Sequence, residues 1–310
     1  MTSHIAPVRS TREPLGLGKK HLLALAGVAV LLILIGVALW LAAGPRTLYP
    51  VLVNGRYGYI TKSAKLAIQP QFDRADAFTD RLAAVEIGNR WGYIDPSGKL
   101  VIAPQYDLAD PFSQGLALVG TGPHLGYIDK SGKYAINPQF DGAGQFGNGR
   151  APVMTNRQWG YIDTTGRMVI NPQFDEAGNF SEGLASIRIG NKYGYINPEG
   201  KIVITPQFSS AGDFHDGVAV VRLDNKYGYI DKSGRMKISP QYDAAGDFSD
   251  GLAPVAISGR YGYIDKSARF AINPQFDQGG SFIAGIAPVW VGNRQGYINK
   301  DGKWVWNPVS

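Results

Sequence analysis

The residues with which this chain could do chemistry are few: four histidines, no cysteine and two recurring columns of aspartate. Nucleophilic catalysis needs a Ser, Thr or Cys beside a base. His4 and His21 lie in the basic N-terminal stretch, and His124 stands in a column otherwise filled by Arg56, Arg90, Lys192, Lys226, Arg260 and Arg294. His215 stands where Ser181 and Ser249 recur. A histidine that replaces a solvent-facing Arg or Ser reads as a surface substitution, not as a base or a ligand. The missing cysteines exclude disulfide frameworks, thiolate zinc sites and cysteine nucleophiles, and no His and carboxylate grouping has metal-ligand spacing.

Asp95, Asp129, Asp163, Asp231 and Asp265 form one carboxylate column, and Asp73, Asp107, Asp141, Asp175, Asp243 and Asp277 form another. Such columns could hold calcium or glycan hydroxyls. They serve equally to cap backbone amides at turns, which is the reading we put first. Glycoside hydrolysis would need one distinctive pair with separated pKa values, and equivalent positions in most units argue against that. The expectation is a protein without catalytic residues, cofactor or metal.

A binding surface is better supported. Tyr57, Trp91, Trp159, Tyr193, Tyr227 and Tyr261 form an aromatic column next to the basic column of Arg56, Arg90, Lys192, Lys226, Arg260 and Arg294. Flat rings beside hydrogen-bond donors suit sugar faces, although packing between units is the first role of regular aromatic columns. A second basic column, Lys65, Lys99, Lys133, Arg167, Lys201, Arg235, Arg269 and Lys303, is unbroken. It could meet acidic glycans, lipid head groups or an acidic partner, but guarding strand edges from unwanted pairing comes first.

These columns exist because the chain repeats. The glycine of an aromatic-Gly-Tyr-Ile motif falls at Gly58, Gly92, Gly126, Gly160, Gly194, Gly228, Gly262 and Gly296, at intervals of 34 residues without insertion. Pro-Gln-Phe or Pro-Gln-Tyr and a Phe five residues before an Ala move in step. An enzyme built on repeats tends to interrupt the register with an active-site loop, and the register here is uninterrupted. Although this is the period of helical tetratricopeptide repeats, the pattern inside the unit has period two and is punctuated by Gly and Pro. Leu184 to Ile189 alternates, Gly190-Asn191 turns, residues 192–197 return, Pro198-Glu199-Gly200 turns again and residues 202–204 form a third strand. The spacing predicts three-stranded meanders joined by compact loops or single helical turns. It places Val85 opposite Gly92 and Glu86 opposite Trp91, with the glycine demanded by a packed neighbour. Leu52, Glu86, Gly120, Met154, Arg188, Arg222, Ala256 and Trp290 vary within the fixed frame and read as exposed positions.

Residues 22–43, from Leu22 to Ala43, carry no charge and as a helix would span about 33 Å, enough for a bilayer core of about 30 Å. A cleaved signal peptide would carry a shorter apolar region, so an uncleaved anchor is expected. Basic residues precede the run, which puts the N-terminal tail in the cytoplasm. Trp40 and Tyr49 fall where an outer interface would lie. Of the net charge of +6, residues 1–46 hold +4, leaving 26 basic and 24 acidic side chains in residues 47–310. That near balance argues against nucleic acid as a partner. The organisation expected is a cytoplasmic tail (1–20), a transmembrane helix (21–44) and an extracytoplasmic repeat domain (45–310).

Lys226-Tyr227-Gly228-Tyr229-Ile230-Asp231, Pro240-Gln241-Tyr242 and the Phe-Ser-x-Gly-Leu-Ala segments resemble the WG-repeat family, also called KWG repeats, over about residues 48–308. Leu125 and Gln295 depart from it before the glycine, and Ala64 and Ala268 replace the turn glycine. The resemblance implies an all-β array in a bacterial protein with no shared catalytic activity. With strands in the same order at both ends, no offset strand is present to latch a ring. An open β-solenoid of eight meanders is therefore the first expectation, its last unit with Trp290, Trp304 and Trp306 acting as a cap, and an eight-unit β-propeller the second. The function expected is a non-enzymatic binding or scaffolding module at the bacterial inner membrane, with the repeats periplasmic or extracellular. A protein is the leading partner and cell-wall polysaccharide the alternative.

Overall fold

The computed structural model describes residues 47–307. The cytoplasmic tail and the apolar run expected to cross a bilayer lie outside the described residues. Within them every regular element is a strand, and the strands form eight small antiparallel sheets. The first sheet contains β1 (Leu48–Val53), β2 (Arg56–Thr61) and β3 (Leu66–Phe72). The second contains β4 (Arg74–Ala75), β5 (Ala83–Ile87), β6 (Arg90–Ile94) and β7 (Leu100–Tyr106), in that spatial order. The six that follow repeat the second, so the linkers read as loops or helical turns contribute an inner strand, two residues long in six blades and six residues long, Ser210–His215, in the sixth.

The predicted register holds: Val85 pairs with Gly92 and Glu86 with Trp91. Yet the reason for the glycine lies inside its own sheet. A Cβ on Gly92 would stand 2.5 Å from the Ile102 carbonyl oxygen and 2.7 Å from the Pro104 nitrogen. The outer strand is bulged there, its register shifting between the Trp91 and Tyr93 pairings, and it arches across the glycine. Proline is tolerated in that strand because it lies on the outer edge.

Neither face of a four-stranded blade can be left wet, and each blade covers the next. The Ala83, Val85 and Ile94 face of blade 2 packs on Tyr59, Ile68 and Phe72 of blade 1 in one buried cluster. Each junction is also stapled. The Tyr59 and Phe78 rings pack tilted by 57° with centroids 4.9 Å apart, and the Tyr59 hydroxyl donates to the Asp76 carbonyl at 2.8 Å. Tyr161 meets Phe180 and the Gly178 carbonyl in the same way. Such ring pairs add about 0.5–1.5 kcal/mol beyond burial.

The last blade closes on the first, so the eight sheets form an eight-bladed β-propeller and not the open array. The physical reason is that side chains do the work of the missing latch strand. Tyr297 donates its hydroxyl to the Pro50 carbonyl at 2.6 Å, and Tyr49 donates to the Ile283 carbonyl at 3.1 Å. Tyr49, Val51, Ile60, Ile286 and Tyr297 share one buried cluster, with Trp306 packed against it. Trp306 thus serves the seam and not a solvent-facing cap, and Tyr49, placed by the sequence at a membrane interface, is buried in that seam.

Candidate binding face

In an antiparallel blade the turn joining β5 to β6 and the turn joining β6 to β7 lie at opposite ends. The former end is the hairpin face, the latter the turn face. On the hairpin face three positions of each four-stranded blade come together: the first residue of the inner strand, the residue opposite it on the second strand, and the residue, usually aromatic, that precedes the motif glycine. In blade 2 these are Arg74, Glu86 and Trp91. In blade 5, built on Glu176–Ala177, Ala185–Ile189, Lys192–Ile196 and Ile202–Phe208, they are Glu176, Arg188 and Tyr193.

Each blade fills this triplet differently. Arg74 grips Glu86 through two hydrogen bonds of 2.5 and 3.1 Å and lays its guanidinium 5.3 Å from the Trp91 ring centre. Glu86 is 6% exposed, so its charge needs that partner. In blade 5 the charges are exchanged: Arg188 pairs with Glu176 at 2.8 Å. The Tyr193 hydroxyl also donates to Glu176 and, together with Arg188, holds its carboxyl below the usual range against the opposing effect of burial. Blade 6 presents Ser210, Arg222 and Tyr227, with the Arg222 guanidinium 5.6 Å from the ring. Blade 3 is apolar there, with Leu108, Gly120 and Leu125, and in blade 8 the ring has crossed strands, Trp290 facing Gln295.

Two clefts open between blades on this face. One, of about 480 Å³, is lined by Tyr57, Arg74, Asp76, Trp91, Leu108 and Asp110. The other, of about 420 Å³, is lined by Trp159, Glu176, Asn179, Tyr193, Ser210 and Asp213. Deeper in, polar side chains on the inner loops reach back over the preceding blade. A Cβ on Gly144 would stand 2.5 Å from Asn179 Oδ1, and one on Gly178 3.1 Å from Asp213 Oδ1, so glycine is what leaves room for them. Burial first, and the neighbouring Asp110 second, push the Asp76 carboxyl up to about 6. Burial, then Asp247, push Asp213 up to about 6. Burial likewise raises Asp110 and Asp247. Among the described residues no three of His, Asp and Glu are grouped so as to hold a metal.

The aromatic column is therefore half-buried in the clefts, with Tyr227 and Tyr261 at the equivalent positions of blades 6 and 7. The basic column beside it is committed elsewhere. Arg56, Arg90, Lys226 and Arg260 pair with Asp73, Asp107, Asp243 and Asp277 on the linker to the next blade. The second oxygens of Asp73 and Asp107 accept from the Gly88 and Gly122 amides, so these aspartates tie adjacent hairpins together. Lys192 and Arg294 stay exposed at their hairpins without an ion pair among the described residues. The other aspartate column caps turns, Asp95 Oδ1 accepting from the Ser97 and Lys99 amides at 2.9 and 3.1 Å. His124 and His215 stand on the surface near Asp141 and Asp247.

The positions that vary within the frame are not exposed as the alternation suggested. Glu86 and Ala256 are buried and the rest are buried or half-covered, because in the four-stranded blades the inner strand lies beside them. The inner-strand positions Arg74, Leu108, Glu176 and Ser210 escaped the sequence reading. The signal available was the exchange of charge at one spacing, Arg74 with Glu86 against Glu176 with Arg188.

Eight antiparallel blades around one axis, with a different triplet on each of the seven four-stranded ones, define a repeat β-propeller with an individualised face. The chain belongs to the WG-repeat family: the WG containing repeat matches residues 57–91, 91–122, 126–157, 159–193, 193–227, 227–261 and 261–294. Among solved structures it is similar to a eukaryotic initiation factor, at 10% identity over 84% of each chain with a TM-score of 0.54. It is also similar to Kluyveromyces lactis Hsv2p, at 8% identity over 74% of this chain and 95% of that one with a TM-score of 0.52. At such identities the likeness is one of fold. No curated protein matches the chain.

Proposed function

We propose that the propeller is a non-enzymatic binding module that takes a protein partner on its hairpin face. The observation that carries this is the ring of triplets: one backbone frame, repeated, with ion-paired, apolar, polar and aromatic chemistry in successive blades. Repeat scaffolds recognise irregular surfaces in this way. Protein is favoured over polysaccharide because the rings are not free stacking platforms. The Trp91 face carries a guanidinium and the Tyr193 hydroxyl is bound to Glu176.

The setting we propose is a bacterial inner membrane, with residues 22–43 as an uncleaved anchor, the N-terminus cytoplasmic and the repeats periplasmic or extracellular. The length and charge flanks of that run support it. A phosphatase reporter fused after Ser310 would be active in intact cells; an inactive one would reverse the orientation.

The binding face is tested by placing a photocrosslinking amino acid at Leu108, in the first cleft, and at Lys65 on the turn face as a control. A discrete protein adduct from Leu108 alone is expected. Retention of residues 47–310 on insoluble peptidoglycan, lost with Trp91→Ala and Trp159→Ala, would replace the protein reading with the glycan one.

A further inference from the structure

The turn face, opposite the clefts, has a different chemistry. Its eight turns occupy residues 61–66 and the positions 34 residues on in each later blade. They contain thirteen basic and seven acidic side chains, a net of +6, whereas residues 47–310 as a whole carry only +2. The rest of the propeller is thus net negative, and the net positive charge lies in these turns, although Asp80 and Glu182, on the loops that enter the second strands, reach the same end. The acidic members add little outward field: Asp95, Asp129, Asp163, Asp231 and Asp265 turn their carboxylates onto their own turn amides. Lys65, Lys99, Lys133, Lys201 and Lys303 form no ion pair among the described residues, while Arg167, Arg235 and Arg269 pair with the capping aspartates, Lys130 and Lys232 with Asp80 and Glu182, and Lys266 and Lys300 donate to the Asp216 and Asp250 carbonyls.

Apolar side chains are interleaved with these cations. In six blades the residue directly after the basic one is a large hydrophobic group 37–43% exposed: Leu66, Leu100, Ile202, Met236, Phe270 and Trp304. Edge protection accounts for the cations but does not call for the recurrence of an exposed hydrophobe at the same position in six blades. The apolar groups are spaced around the ring and not gathered in one patch, so they offer no single pocket to a folded partner. A fluid surface that is anionic above and apolar below fits both sets at once.

We propose that the turn face docks on an anionic phospholipid surface, the basic ring meeting head groups and the apolar ring entering the acyl boundary. The point of chain entry agrees. Leu48 pairs with Thr61, which opens the first of these turns, so the chain joins the propeller at the turn face. The hairpin face then points away from the lipid with its clefts free. The proposal rests on the ring's composition and stands whether or not residues 22–43 anchor the chain.

The test uses residues 47–310, which contain the eight buried clusters of the described residues and both seam hydrogen bonds, so the packing between every pair of neighbouring blades is kept. Cosedimentation with phosphatidylcholine vesicles holding about 30% phosphatidylglycerol at low salt is expected, and none with phosphatidylcholine alone. Lys99→Glu with Lys133→Glu and Lys201→Glu would weaken it by about a hundredfold, each reversal removing about one lysine's attraction and adding repulsion. Leu100→Ser with Ile202→Ser would weaken it by about tenfold with an unchanged melting curve. Brominated lipid would quench a fluorescence component that Trp304→Phe removes. No sedimentation with anionic vesicles, or sedimentation indifferent to the lysine reversals, would overturn the proposal. So would equally tight binding to soluble polyglutamate without Trp304 quenching by lipid, which would assign the ring to an acidic protein.

Discussion

The Asp213 carboxyl shows what the inner loops cost the fold. It is half-buried near Asp247, with His215 on the same inner strand and the Gly178 backbone of the preceding blade beside it. Its value of about 6 in the fold stands above that of an unfolded chain. Between about pH 4 and 6 the folded protein therefore holds a proton that the unfolded chain has released, so stability falls as pH rises through that window and is level above it. The urea midpoint should be higher at pH 5 than at pH 7. Asp213→Asn should stabilise the protein at pH 7 by about 1 to 2 kcal/mol and flatten the pH slope. A variant with the wild-type slope would show that Asp213 is not the group responsible. Keeping such residues at a stability cost fits a face where ligand contact matters more than packing.

At the scale of the element, the turn after the second strand of each meander needs a residue in the left-handed region. Six of the eight turns use glycine there, and Ala64 and Ala268 take the same conformation with φ of 59° and 61°. An alanine side chain is crowded in that region where glycine is free. Ala64→Gly and Ala268→Gly should each stabilise the fold by about 0.5–1 kcal/mol, read as a higher urea midpoint with an unchanged slope. The meander itself was legible in the sequence, since alternation, a two-residue hairpin and the glycine turn act within some twenty residues. The inner strand was not. Two residues carry no periodicity, and Arg74–Ala75 becomes a strand only because Glu86 and Val85 lie open beside it.

For the whole molecule, closure is the property on which the rest depends. In an open array the end units fray independently, because each repeat answers only to its neighbours. In the ring, Tyr49 and Tyr297 close the last interface, with their rings 5.8 Å apart. Tyr49→Ala and Tyr297→Ala should each cost about 3–5 kcal/mol and lower a single cooperative transition. Unfolding confined to the terminal blades, with the central ones unaffected, would speak for an open array instead.

The amino-acid sequence determined the 34-residue period, the order of the three meander strands and the paired positions. All follow from short-range sterics and from the alternation of side chains along a strand. The aromatic column was found this way, and Tyr57, Trp91, Trp159 and Tyr193 of it line the clefts. Only the tertiary structure decided that the array closes, that Arg56 and Arg90 are spent on linker aspartates, and that the basic and apolar turn residues form one face. Each of these depends on the angle between adjacent blades, a small quantity set by packing that accumulates over eight junctions before its consequence exists.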